Sequence, residues 1–108
     1  MPALSILDIL TFDDIANACG ETNLEHGFDF YQAGAVQNID VQERTRGFVI
    51  VAQVKDTIVS YGQQIYLMRS RRGTDIVARC GCSGKYNCKH VAAVLVACLE
   101  EADIDALG

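Results

Sequence analysis

The chain opens on an apolar stretch and then changes its period twice. Thr11 followed by Phe12, Asp13 and Asp14 predicts an N-cap with acids in the first turn, starting a short helix that runs to about Cys19 and ends at Gly20. Thr22 predicts the cap of a second helix, Asn23 to Gln32, with Gly34 as its C-terminal glycine. Gly27 fits that helix poorly, because a mid-helix glycine costs about 1 kcal/mol against alanine. After Gly34 the period shortens. Residues 35–42 alternate loosely. From Gly47 to Val54 the alternation is clear, with Phe48, Ile50, Ala52 and Val54 on one face. Ile58 to Met68 reads as a strand in which Val59, Tyr61, Ile65 and Leu67 share a face. Arg69 to Gly73 reads as a polar turn and Thr74 to Arg79 as a further short strand. Short connections between three to four strands predict an antiparallel meander. Residues 88–101 read as a last helix, apolar on every side from Val91 to Leu99. Such a helix is either buried all round or waits for a partner, and a small domain buries one completely only with difficulty.

Composition narrows the class. Half of the 108 residues are hydrophobic and 21% are charged, a globular balance. The longest apolar run is far short of the roughly 20 residues of a membrane helix. No basic residue precedes the apolar stretch of Met1 to Leu10, so no secretory signal is read there. Five cysteines without such a signal imply a reducing, cytoplasmic setting, where Cys pairs mean metal or redox chemistry before disulfides. The net charge of −5 hides a pattern. Residues 1–43 carry eight acids and no Lys or Arg, and residues 91–108 carry four acids. Residues 44–90 carry all nine bases against Asp56 and Asp75. That basic middle allows an anionic partner, and equally allows neutralisation of the acidic ends within the fold.

The chemistry concentrates in residues 80–90, Cys-Gly-Cys-Ser-Gly-Lys-Tyr-Asn-Cys-Lys-His. Cys80, Cys82, Cys88 and His90 form a C-x-C, C-x-H set, and three Cys with one His make a tetrahedral zinc site. Cys80 and Cys82 leave a strand end, where residues i and i+2 share a face. Gly81 and Gly84 let the backbone turn and offer N–H groups to the sulfurs. Asn87 is a candidate N-cap, placing Cys88 and His90 in the first helical turn, whose positive end favours thiolate. Lys85 and Lys89 offset the residual negative charge of the site. A Cys80–Cys82 disulfide would close a strained ring, a redox pair is more usually C-x-x-C, and a Cys nucleophile paired with His90 would need a substrate cleft. Four protein ligands leave no open position, so one zinc ion here is structural. Cys98 and Cys19 read as small buried hydrophobes. His26 reads as an exposed helix residue that ligates only if His90 points away.

The spacing of Cys80, Cys82, Cys88 and His90 resembles the SWIM zinc finger, C-x-C-x(n)-C-x-H, found near the N-terminus of Swi/Snf-type DNA translocases. The likeness extends over residues 24–99. His26 to Val36 resembles the segment that precedes the module in those proteins, and Lys89 to Leu95 resembles their helix start. Ser83 stands where many members carry proline, and His26 where they carry arginine. Cys88-Lys89-His90-Val91-Ala92-Ala93 also resembles the C-x-H-x-x-A of SWIM proteins that assist recombinases. The pattern of elements and ligands predicts an α+β domain with N-terminal helices, an antiparallel meander of three to four strands, a zinc knuckle and a C-terminal helix. The expected division is a helical segment at 1–22, a SWIM-type zinc-binding domain at 23–101 and a tail at 102–108.

The resemblance implies zinc binding together with contact to protein or DNA. No G-x-x-x-x-G-K-[ST] motif, nucleophile elbow or paired carboxylates near a histidine occur, so a non-enzymatic module is expected. The first expectation is protein interaction through the last helix at Ala92, Val96 and Leu99. The partner would be a Swi/Snf-type ATPase, the remainder of a longer chain or a recombination factor, at the nucleoid or nucleus if DNA-acting, with no membrane involved. The alternative is direct nucleic-acid binding through Arg69, Arg71, Arg72, Arg79, Lys85 and Lys89 around the knuckle, with Tyr86 stacking.

Overall fold

The computed structural model describes residues 6–45, 47–71, 73–82 and 88–107. Three helices come first, α1 (Ile6–Ile9), α2 (Phe12–Cys19) and α3 (Glu21–Gln32). Four strands follow, β1 (Val36–Arg44), β2 (Gly47–Asp56), β3 (Val59–Ser70) and β4 (Gly73–Cys80), and then α4 (Lys89–Leu107). The strands pair in the order β1-β2-β3-β4, every pair antiparallel. The expected α+β meander is therefore present with four strands.

Local chemistry accounts for most element ends. Thr11 caps α2 through a complete capping box: its hydroxyl accepts from the Asp14 N–H at 3.2 Å, and the Asp14 carboxylate accepts from the Thr11 N–H at 3.0 Å. Gly34 follows α3 at φ 74°, the left-handed position that a helix C-terminus favours for glycine. Two expectations change at the start of α3. The helix begins at Glu21, so Thr22 lies inside it and caps nothing, and Gly20 occupies the N-cap without a side-chain bond. The short α1 was not anticipated, because four residues carry too little periodicity to be read.

The loose alternation of residues 35–42 has a structural cause. Gln37 faces Gln53 and Asp40 faces Val51, so Asn38 and Ile39 together oppose Ala52 in a bulge. The bulge shifts the phase of β1: Val36 pairs with Val54 before it and Val41 with Ile50 after it. Ile58, expected in a strand, instead sits in the β2–β3 turn and is exposed.

One face of the sheet carries Phe48, Ile50, Ala52, Val54, Ile65, Leu67, Ile76 and Ala78 into a single core. Helix α4 lies on that face. It touches all four strands on one side and α1, α2 and α3 on the other. That placement explains an apolar run with no polar side: Val91 to Leu99 are all buried within this chain. The full burial that seemed difficult is achieved because α4 runs between two layers. Ile6, Ile9, Leu10, Ile15 and Cys19 join the same core, so the segment ahead of residue 22 packs as part of it. Helix α4 also continues to Leu107, through most of the expected tail.

Gly27 explains itself at the α3–α4 crossing. A Cβ there would stand 2.9 Å from the carbonyl carbon of Ala92 and 2.9 Å from the amide nitrogen of Ala93. The glycine costs helix propensity and allows the two helices to approach backbone to backbone.

Candidate metal centre

The ligand set is assembled from a strand end and a helix start. β4 delivers Cys80, and its pairing with β3 is prolonged by one bond, from the Gly81 N–H to the Gly62 carbonyl at 2.9 Å. That N–H was expected to face the sulfurs and instead extends the sheet. Cys82 follows one residue later. Cys88 stands at the N-cap of α4, its carbonyl accepting from the Ala92 N–H at 3.0 Å, and His90 falls in the first turn. Asn87, expected in that capping role, lies with Ser83, Gly84, Lys85 and Tyr86 outside the described residues.

The ligand atoms of Cys80, Cys82, Cys88 and His90 all lie within 4.8 Å of one another. Cys82 Sγ is 3.7 Å from Cys88 Sγ. His90 Nδ1 is 3.6 Å from Cys80 Sγ and 3.8 Å from Cys88 Sγ. A zinc tetrahedron with bonds of about 2.3 Å to sulfur and about 2.0–2.1 Å to nitrogen has edges of about 3.5–3.8 Å. The cluster thus has the dimensions of a Cys3His zinc site, and one zinc fits it. Burial pushes the metal-free Cys88 thiol up to about 12, opposed by the backbone N–H groups of Val91 and His90 at the helix start.

Two residues outside the ligand set touch it. The carboxylate of Asp56, at the end of β2, lies 2.8 Å from His90 Nε2. The His90 hydrogen bond, with Lys89 beside it, holds that carboxyl below its usual range. His90 is 3% exposed, and its ring packs against those of Phe30 and Tyr61, with centroids at 5.4 and 5.1 Å. Gln63 of β3 is 2% exposed and places Nε2 3.4 Å from Cys80 Sγ. A metal-bound thiolate only accepts hydrogen bonds, so an amide N–H there suits it. Gln63 left a trace in the sequence, as the one amide on the apolar face of β3. Asp56 left none, because an acid beside a turn is ordinary.

The other expectations divide. His26 is exposed and outside the cluster, and Cys19 and Cys98 are buried in the core. Among the described residues, the bases do not form one patch around the knuckle. Arg69 and Arg71 lie at the β3–β4 turn, the opposite end of β4 from Cys80. Seven residue steps of strand separate the two ends by about 23 Å. Arg79 is exposed on the open face of the sheet. Lys89 is already engaged: its Nζ is 3.8 Å from Asp56 and 5.8 Å from the centre of the Phe30 ring. Arg72 and Lys85 lie outside the described residues. The expected partner-binding residues Ala92, Val96 and Leu99 are buried, so they offer no surface.

A strand end and a helix start clamped by three Cys and one His define a small α+β protein built around a closed, structural zinc site. Residues 75–99 match the family model of the SWIM zinc finger, so the chain carries a SWIM zinc finger in β4, the knuckle and the first half of α4. No curated protein and no solved structure matches the chain.

Proposed function

We propose that the chain is a non-enzymatic interaction module of a DNA-acting machine, in which zinc pins the end of β4 to the start of α4 and the open face of the sheet docks a protein. The observation that carries this reading is the sheet face turned away from α4. Val49 pairs with Tyr66, and Tyr66 with Val77, across the three strands. Val51 is 45% exposed, Tyr66 38%, Met68 46% and Val77 61%. Aromatic and methionine side chains on a rigid sheet suit the apolar centre of a protein interface. The resemblance to Swi/Snf-type translocases and recombinase assistants supplies the class of partner. The test is calorimetric titration of the zinc-loaded chain with the Swi/Snf-type ATPase, and separately the recombinase, of the same organism. Binding lost in Val77→Glu with zinc content and melting temperature retained supports the reading. Binding unchanged in Val77→Glu, or no binding to either protein, counts against it.

A second reading is direct contact with nucleic acid, at a place other than the knuckle. The β1–β2 and β3–β4 turns fall at the same end of the meander, which brings Arg44, Arg69 and Arg71 to one edge. Arg69 and Arg71 make no ion pair among the described residues. Phosphate contacts from such an edge would weaken steeply with salt. Fluorescence anisotropy with a labelled oligonucleotide, repeated with Arg69→Glu and Arg71→Glu across a salt series, separates this reading from the first.

A further inference from the structure

We propose that Asp56 is the positioning residue that makes His90 ligate zinc through Nδ1. A neutral imidazole carries one N–H and one lone pair, and only the lone pair binds metal. The hydrogen bond made by the other nitrogen decides which is which. Here His90 Nε2 faces the Asp56 carboxylate at 2.8 Å. An ionised carboxylate only accepts, so Nε2 carries the proton. Nδ1 is left with its lone pair, at 3.6 and 3.8 Å from the sulfurs of Cys80 and Cys88. Phe30 and Tyr61 stand against the ring and hold its plane.

The consequence reaches beyond the ring. Asp56 and His90 are 34 residues apart in the chain, and Asp56 closes β2 at the two-residue turn Thr57–Ile58. The metal therefore grips the sheet twice: directly through Cys80 on β4, and through His90 and Asp56 on β2. β3 runs between them. Zinc occupancy is then transmitted to the β2–β3 turn at the end of the sheet, some distance in sequence from any ligand.

Three measurements test this. In the zinc-loaded wild-type chain, nitrogen-15 NMR of the His90 ring should show Nε2 protonated and Nδ1 bound to metal. The reverse pattern would overturn the assignment, and this measurement requires no variant to fold. Zinc competition with a chelating dye should show a 10–100-fold loss of affinity in Asp56→Ala. Asp56→Asn keeps an acceptor and should lose less than tenfold. Zinc removal should shift the amide signals of Thr57 to Ser60 in the wild type and leave them still in Asp56→Ala. Wild-type affinity in a folded Asp56→Ala, or signals at Thr57 to Ser60 that ignore zinc in the wild type, would sink the proposal.

Discussion

Gly27 and Ala92 bring the backbones of α3 and α4 so close that no side-chain carbon fits between them, since a Cβ on residue 27 would lie 2.9 Å from the Ala92 carbonyl carbon. The contact falls two residues after His90, where α4 leaves the metal site. The helix that carries His90 and is capped by Cys88 is thus seated by α3 as well as by zinc. Gly27→Ala should gain about 1 kcal/mol of helix propensity and still destabilise the fold by about 1–3 kcal/mol through overpacking. Urea unfolding of the zinc-loaded variant measures the balance. A stabilised variant would mean that the two helices separate easily.

Val96 and Val77 form an instructive pair. Val96 lies on the apolar run of α4 and is fully buried, whereas Val77 points from β4 into solvent. Val96→Glu should unfold the chain, with a loss of about 4 kcal/mol or more, because it places a charge in the core. Val77→Glu should change stability by no more than about 0.5 kcal/mol. Circular dichroism melts of both variants check this. A folded Val96→Glu that had merely lost binding to a protein partner would restore α4 as the docking surface.

Metal removal should act locally. Structural zinc contributes roughly 10–16 kcal/mol in isolated finger peptides, where no other core exists. Here Val91 to Leu99 are held by the sheet and the N-terminal helices regardless of the metal. Hydrogen exchange after chelation should therefore rise at Cys80 to Cys82, at Cys88 to His90 and at the β2–β3 turn tied to them through Asp56, and change little from Val94 to Leu99. Cys82→Ser should reproduce that pattern.

Alkaline pH should destabilise the protein through cysteines that do not bind metal. Burial pushes the Cys19 thiol up to about 11 and the Cys98 thiol up to about 12, from an ordinary value of 9.0. Both are raised on folding, so their contribution is complete below about pH 9 and is lost as pH rises through 11 to 12. The melting temperature should hold from pH 7 to 9 and fall above it. Cys98→Ala should flatten that fall. A melting curve that is as steep in Cys98→Ala as in the wild type would place the alkaline transition elsewhere.

Much of this protein was legible along the chain, and the reason is locality. The capping box of Thr11 and Asp14, the glycine after α3, the alternation of Gly47 to Val54 and the four ligands within eleven residues all act between near neighbours. Their physical causes, a hydrogen bond across three residues or a period of two, are written in the sequence itself. So was the metal, because three Cys and one His at that spacing have few other uses.

What only the tertiary structure decided involves groups far apart in sequence. The apolar run of α4 looked the same whether it was to be buried or offered to a partner, and only the packing of α1 to α3 on its outer side settled it. The bases of residues 44–90 looked like one patch until the meander sent Arg69 and Arg71 to the end of the sheet opposite Cys80. Asp56 is an ordinary acid until β2 carries it to within 2.8 Å of His90. Composition and period determine which residues seek burial or a metal. The three-dimensional path of the chain determines which distant groups meet, because that choice depends on how whole layers fit together.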